Sequence, residues 1–346
     1  MTIRELAARL RLSKSTVAYA LRDAPAVKPA TRELVQRRAR ELGYSPNPIA
    51  SAFLQHVRSQ GSLRYQATLA FLFTIPASSL PAGSAWPTSG YQRLIYDGAE
   101  ARARELGYVI DRINTVDFKA ARLSQILKAR GVLGIILGPL FRPVGHLMLD
   151  WSKFSAVSYG YSMVRPAVHR VVHNHLQGMR TAFRTLRREG HDRIGLVLAD
   201  EADKRSNSLW SCGFLGLQQT LPEPRRVRPL LAPAWQLTPS AIRHWLRRER
   251  PDAVIFHNSG GVQKIPEISR GKIAVAVLGR EPHDPFPGID QQFALSGSLL
   301  VDLLAAQILH NQRGLPLSPI VSMVDGVWST PSPPISSALA FPRRHP

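Results

Sequence analysis

The side chains best placed to do chemistry lie within the first twenty-two residues, and that chemistry is hydrogen bonding. In the run Ser13-Lys14-Ser15-Thr16-Val17-Ala18-Tyr19-Ala20-Leu21, the residues Val17, Ala20 and Leu21 fall at i, i+3 and i+4 and give a short helix one apolar face. At about 100° per residue, Lys14, Ser15, Ala18 and Arg22 cluster on the opposite arc, with Tyr19 at its edge. Hydroxyls and cations on so narrow a face suit the reading of base edges in a major groove. Ser13 is the expected N-cap of this reader helix.

A reader needs a scaffold, and the neighbouring residues supply one. Ile3, Leu6, Ala7 and Leu10 make the apolar stripe of a first helix, with Arg4, Glu5 and Arg9 left to water or DNA. A third helix is predicted from about Pro29 to Leu42, with proline near its start and Gly43 just past its end, and with Thr31, Leu34, Val35, Ala39 and Leu42 on its buried side. Three such helices share one small core as a helix-turn-helix unit.

Charge agrees with an anionic partner. The 346-residue chain carries 45 Lys and Arg against 24 Asp and Glu, a formal charge of +21. Residues 1–60 hold 11 basic and 4 acidic side chains, so the charge density there is more than twice that of the remainder. Part of the whole-chain excess is expected to be scattered, solvated arginine.

The rest of the chain is long enough for a sizeable core. Beyond a linker at Ser59-Gln60-Gly61-Ser62, apolar runs at Ala67–Ile75, Val109–Ile113, Val132–Leu137, Ala156–Ser158, Ile194–Leu198, Ala253–Phe256 and Ile273–Leu278 read as strands buried on both faces. Helical stretches near 93–106, 120–130, 179–189, 209–220, 240–248 and 296–312 alternate with them. That alternation predicts doubly wound α/β architecture. Ligands of such sheets sit in the crevice at the carboxyl ends of strands, so the loops after Ile75, Leu137, Leu198 and Phe256 are the ones to watch. The heptapeptide at 38–44 recurs at 102–108, but the flanks differ, and both copies read as a helix ending in a left-handed glycine.

Catalytic signatures are missing. The sequence has no Walker loop, no Gly-rich dinucleotide fingerprint after its first strand and no G-x-S-x-G elbow. His169, His173 and His175 match no zinc spacing, so no metal, no cofactor and no enzymatic activity are expected. One cysteine, Cys212, permits no intrachain disulfide. With neither an apolar secretory h-region after Met1 nor a run of membrane-spanning length, the expected compartment is a reducing cytoplasm.

The segments beginning at Leu6-Ala7 and at Ser13-Lys14-Ser15-Thr16-Val17, with Thr31-Arg32-Glu33 and Tyr44-Ser45-Pro46-Asn47, resemble the LacI/GalR transcriptional regulators. Asp97-Gly98, Gly131–Leu137, Glu189–Gly195, Pro251–Val254 and Gly314-Leu315-Pro316 extend that resemblance over nearly the whole chain. It implies a head at 1–45, a hinge helix and linker at 46–62, a two-lobed periplasmic-binding-protein-like core at 63–330 and a proline-rich tail at 331–346. The implied function is a regulator, a repressor in the first instance, that binds a pseudo-palindromic operator as a homodimer and senses an effector, with a sugar favoured. In the family an apolar hinge residue wedges into the central minor-groove step, and by position that residue is Phe53, where leucine is usual. The expected DNA contacts are Thr2, Ser13, Lys14, Ser15, Thr16, Tyr19, Arg22, Lys28, Arg32, Asn47, Ala50, Ser51, Phe53 and Leu54.

For the effector pocket the resemblance points to Tyr91, Arg205, Trp210, Ser259 and Gln291. Here the chain departs from the family pattern. Ser259 stands where the pocket aspartate is usual and Trp210 where the arginine is usual, with Arg205 nearby as a substitute cation, and His173 takes the place of a strand-end aspartate. Two alternatives stay open: a DNA-binding regulator whose pocket takes no small molecule, and a solute-binding protein sharing the two-lobed fold.

Overall fold

The computed structural model describes residues 3–21, 27–42, 67–80, 90–140, 142, 145–260, 262, 265–269 and 271–331. The head has helices α1 (Ile3–Leu10), α2 (Lys14–Leu21) and α3 (Pro29–Glu41). Leu6, Ala7, Val17, Ala20, Val27, Val35 and Ala39 close its core, with Leu10, Leu12, Leu21 and Leu42 packed at the margin. Leu34, expected on the inner side, is instead 38% exposed, because the core of so small a unit is filled by Val35 and Ala39.

The rest of the described chain forms two lobes. In the first, strands β1 (Ala67–Thr74), β2 (Tyr108–Asn114), β3 (Val132–Leu140), β5 (Ser155–Tyr159), β7 (His169–His173) and β13 (Val321–Val324) form a parallel sheet in the order β13-β7-β5-β3-β1-β2. Strands β4 (Gly145–His146) and β6 (Met163–Arg165) make a small separate pair. The second sheet has β8 (Ile194–Ala199), β9 (Leu230–Ala232), β10 (Ala253–Phe256), β11 (Ala274–Val277), β12 (Gly288–Asp290) and β14 (Val327–Ser329) in the order β14-β12-β11-β10-β8-β9. Only the β12/β14 pairing in it is antiparallel.

Alternation along β1 shows why both faces are covered. Leu69, Phe71 and Phe73 pack with Ile95 and Ala99 of α4 (Tyr91–Glu105) and with Leu300 and Leu304 of α11 (Phe293–Leu309). Ala70 and Leu72 face Leu123 and Leu127 of α5 (Ala120–Ala129) on the other side. In the second lobe, α6 (His175–Arg188) and α8 (Leu209–Gln219) cover one face and α9 (Pro239–Glu249) the other. This is the two-lobed, doubly wound architecture that the alternation predicts.

The expected strands are all present, although β2 is not buried on both faces. It is the sheet's edge, and Val109 is 53% exposed. Helices α4 and α11 touch so closely that a Cβ on Gly98 would lie 2.0 Å from the Ala294 carbonyl oxygen. Gly107, in the second copy of the repeated heptapeptide, has φ 79 and hands α4 over to β2, while Gly43 of the first copy lies outside the described residues.

The Glu189–Gly195 motif is structural. The Asp252 carboxylate accepts from the Asp192 and Arg193 amides, and Gly195 leaves room for the Trp245 ring, which a Cβ would approach to 2.4 Å. Together these contacts set the start of β8 beside β10.

The chain passes between lobes three times, at 173–175, 290–293 and 324–327. The first and third are tied together: the Asn174 amide donates to the Val324 carbonyl at 2.8 Å and its Nδ2 to the Asp325 carboxylate at 2.8 Å. Among the described residues no helix is long and apolar enough to cross a membrane.

Candidate DNA-binding head and interlobe cleft

Local backbone chemistry positions the reader helix. Arg11 turns the chain in the left-handed region with φ 50, and the Leu12 amide donates back to the Ala7 carbonyl. The chain then re-enters helix at Ser13, whose Oγ accepts from the Thr16 amide at 3.0 Å and pairs with Thr16 Oγ1 at 2.7 Å. Both hydroxyls thus serve the cap. Val17 and Ala20 face inward, and Gln36 of α3 donates to the Ala20 carbonyl, fixing the angle between the two helices.

On the outer side Tyr19 is 50% exposed. Lys14 and Ser15 open α2, Lys28 is exposed just before α3, and Arg32 is half-buried within α3. Thr2, Arg22, Asn47, Ala50, Ser51, Phe53 and Leu54 lie outside the described residues. So do the hinge helix and the linker.

A second candidate site is a cavity of about 400 Å³ between the lobes. Tyr91, Tyr159, Tyr161 and Phe293 line its first-lobe side, and Glu201, Arg205, Trp210, His257 and Asn258 its second-lobe side. His173 and His175 stand where the first crossover passes between them. Its size falls in the range of small-molecule pockets.

Four of the five expected pocket residues are brought together there. Tyr91 packs its ring on Phe293 with centroids 5.6 Å apart, and burial raises its pKa. Trp210 is buried against His173 and His175, with ring centroids 5.4 and 4.8 Å away. Gln291 donates to the Leu278 carbonyl at 2.8 Å. Arg205, from the short helix α7 (Asp200–Arg205), reaches across to donate to the Leu140 carbonyl at 2.6 Å, so it touches both lobes.

Ser259 is the exception, and it is not among the lining residues. Asn258 Oδ1 accepts from the Gly260 amide, and the Ser259 carbonyl accepts from Val262, so Ser259 is spent on the turn after β10. His257 and Asn258 face the cavity in its stead. Of the strand ends singled out, those after β3, β8 and β10 contribute; residues 76–80 after β1 do not, and 81–89 lie outside the described residues.

Sequence reasoning passed over Tyr159, Tyr161, His175 and His257 as lining residues. Their position at strand ends was the available signal. Strand β7 was missed because three of its five residues are His or Arg, and α6 begins a turn earlier than expected because Asn174 Oδ1 accepts from the Gln177 amide as its cap.

The electrostatics of this wall are unusual. Burial holds the pKa of His173 down to about 4, that of His175 to about 3 and that of His257 to about 4, with His173 and His257 also lowering His175 and Arg205 lowering His257. Neither ring nitrogen of His173 makes a well-formed hydrogen bond among the described residues, the backbone group nearest to it in effect being that of Val324. His175 Nδ1 is likewise buried without a well-formed bond, although contact of the His175 ring with the His173 backbone works against the effect of burial. Gly178 makes room for this packing, since a Cβ there would stand 2.6 Å from His173 Nε2. Among the described residues no group of three or more His, Cys, Asp or Glu is placed to hold a metal ion.

Comparison with known proteins matches both parts. Residues 2–47 fit the family described as "Bacterial regulatory proteins, lacI family". The HTH-type transcriptional repressor PurR of Klebsiella pneumoniae (strain 342) is 25% identical over 207 residues, which are 57% of this chain; the match spans about half, 53%, of that relative's length. Among solved structures, a transcriptional regulator CelR–cellobiose complex aligns with TM-score 0.52 at 20% identity over 95% of this chain and 98% of that one. The lac repressor dimer bound to operator and the anti-inducer ONPF aligns with TM-score 0.51 at 18% identity, again over 95% and 98%. A LacI transcriptional regulator from Lactobacillus brevis gives TM-score 0.56 at 12% identity over 76% of this chain and all, 100%, of that one. Residues 2–47 thus resemble the head of the lacI family, and the rest of the chain shares the two-lobed, periplasmic-binding-protein-like fold of those solved structures.

Proposed function

We propose that this chain is a cytoplasmic transcriptional repressor that binds a pseudo-palindromic operator as a homodimer and is modulated by a small molecule in the interlobe cleft. The observation that carries this reading is the pairing of a capped reader helix, Lys14–Leu21, with a two-lobed core holding a cavity of about 400 Å³. A head of this size reads one half-site, so two-fold symmetry in the protein maps onto dyad symmetry in the DNA. Lys14, Ser15 and Tyr19 are assigned to base edges, and Thr2, Ser13, Thr16, Arg22, Lys28 and Arg32 to positioning the head on the phosphates. Asn47, Ala50, Ser51 and Leu54 flank Phe53 in the hinge, where Phe53 is assigned the minor-groove wedge.

The cleft supports an effector-responsive regulator over one that takes no small molecule, because the cavity is open and lined with polar groups. A change in operator affinity requires that the ligand favour one lobe arrangement over another, and the crossovers at 173–175, 290–293 and 324–327 are where such a difference is transmitted. Selection of operator sequences from a random DNA pool with the purified chain tests the reading. The expected product is a short dyad-symmetric site bound by two chains, and Phe53→Ala is expected to lose affinity and bending together. Enriched sites without dyad symmetry, or one chain per site at saturation, would overturn the dimeric repressor.

A further inference from the structure

Taking the cleft as the effector site, we propose that its ligand is a small monoanionic carboxylate. Its charge is held by Arg205 with His175 and His257, and its ring or chain lies against the tyrosine side of the first lobe. This inference rests on the cleft reading and names the ligand class that the wall selects.

The wall is built asymmetrically. Its second-lobe side carries one permanent cation, Arg205, and among the described lining residues there is no aspartate. Two glutamates are present, but one oxygen of Glu201 is taken by the Ala234 amide at 3.0 Å and Glu281 stands exposed at the rim. A polyol cleft gains from charged acceptors for its many hydroxyl donors, whereas the charged group on this wall is a guanidinium, set among imidazoles and neutral Tyr, Ser, Asn and Gln side chains.

The imidazoles await a partner. His173 and His175 lie 5.2 Å apart between ring centroids, and they carry three buried ring nitrogens without well-formed hydrogen bonds among the described residues, the Val324 and His173 backbones being the groups that offset burial there. An unsatisfied buried nitrogen is costly, and a carboxylate oxygen satisfies one. The groups facing this trio are Arg205 from α7, Trp210 from α8, Tyr161 after β5, Asp325 in the third crossover, which favours protonation of His173, and the two glutamates. Desolvation keeps all three imidazoles neutral near pH 7, joined at His175 by repulsion from His173 and His257 and at His257 by repulsion from Arg205.

One negative charge is what the permanent cation of this set, Arg205, matches before any proton is taken up. A phosphomonoester brings close to two, and beside Arg205 there is no second permanent cation among the described lining residues. The carboxylate also competes with the Leu140 carbonyl for the Arg205 guanidinium. Ligand binding is thereby linked to the hydrogen bond that joins the lobes.

Binding is then coupled to proton uptake. An anion beside an imidazole raises the pKa of the occupied form above that of the free form, so the complex holds more protons and affinity strengthens as pH falls from 8 toward 6. Thermal shift and calorimetry on the full chain test this with small carboxylates, each paired with its neutral amide or alcohol: galacturonate with galactose, glucuronate with glucose, benzoate with benzamide. Glucose 6-phosphate serves as the dianionic arm.

The expected result is stabilisation by an acid member and none by its neutral partner. Affinity should be at least severalfold tighter at pH 6 than at pH 8, with a binding enthalpy that varies with buffer ionisation enthalpy. Arg205→Gln should weaken that acid at least tenfold, and His257→Gln should flatten the pH dependence even if Arg205→Gln folds poorly. Equal or tighter binding of the neutral members would overturn the carboxylate while leaving the cleft reading intact, and binding of the phosphate alone would overturn it in favour of a dianion. Silence across all arms would overturn both.

Discussion

The head and the cleft place their proposed functions on opposite kinds of surface. The head carries its proposed reader on one continuous helix, Lys14–Leu21, over a core with seven buried residues among those described. The cleft is concave and gathers its walls from strand ends as far apart as Pro139 and Phe293. A small core has little stability in reserve, so the head's polar groups stay near water or serve caps. The large lobes can hold neutral, unpartnered imidazoles at His173 and His175. Desolvated polar groups, which would unfold a small unit, are tolerable where two sheets and their helices carry the fold.

The largest effect that separates the two regions is expected at Trp210, buried at 1% exposure between the cleft and the second-lobe core. Trp210→Ala should cost the core about 3–5 kcal/mol. Denaturant unfolding followed by circular dichroism would show it, while operator-half-site chemical shifts in the head stay unchanged. A loss below about 1 kcal/mol would mean that the wall is not part of the core.

Acid sharpens the comparison next. The folded-state pKa values of His173, His175 and His257, about 4, 3 and 4, lie below the ordinary imidazole value of 6.5. Above pH 6.5 folded and unfolded chains are both neutral at these sites. As pH falls below it, the unfolded chain takes up protons that the folded chain refuses, and stability is lost progressively down to about pH 4 for His173 and His257 and about pH 3 for His175. The slope approaches about 1.4 kcal/mol per pH unit for each imidazole. His175→Phe should remove one such contribution from the core transition and leave the head's untouched; identical pH profiles for variant and parent would refute the assignment.

Smaller effects belong to the head. Lys14→Ala, Ser15→Ala and Tyr19→Ala should each shift base preference at particular positions by about 1–3 kcal/mol, whereas Arg32→Ala weakens all sequences alike. Competition binding against single-substituted operators reads this directly, and an unaltered preference profile would move the reading surface elsewhere. Smallest is the cap: Ser13→Ala should destabilise the head by about 1 kcal/mol through loss of the bond from the Thr16 amide. Amide exchange at Thr16 and Val17 would report it, and unchanged protection there would show that the cap is redundant.

The same contrast explains what was legible beforehand. A helix written in consecutive residues announces its faces by period, so Val17, Ala20 and the outward Tyr19 were placed from spacing alone. The sheets were legible as buried apolar runs. Strand β7 was not, because His169, Arg170 and His173 mask its period, and β12 and β14 are only three residues each. The cleft was half legible. Tyr91, Arg205, Trp210 and Gln291 reached it through likeness to related sequences, while Ser259 failed because the Asn258 turn redirects the chain by one residue. Nothing local in a sequence records that His175 and His257, eighty-two positions apart, will line one cavity.

The position of α11 has a consequence for how this protein is made. Residues 293–309 follow the last parallel strand of the second lobe, yet they cover the first lobe's sheet and interlock with α4 through Gly98 and Gly297. Strand β13, later still, completes that sheet's edge. On the ribosome the first lobe is therefore begun early and finished only near the end of synthesis, with Leu69, Phe71, Ile95 and Ala99 lacking their cover until synthesis has passed residue 309. A message broken before that point yields a head with its own closed core attached to an unfinished, sticky first lobe, a species that quality-control proteases should clear.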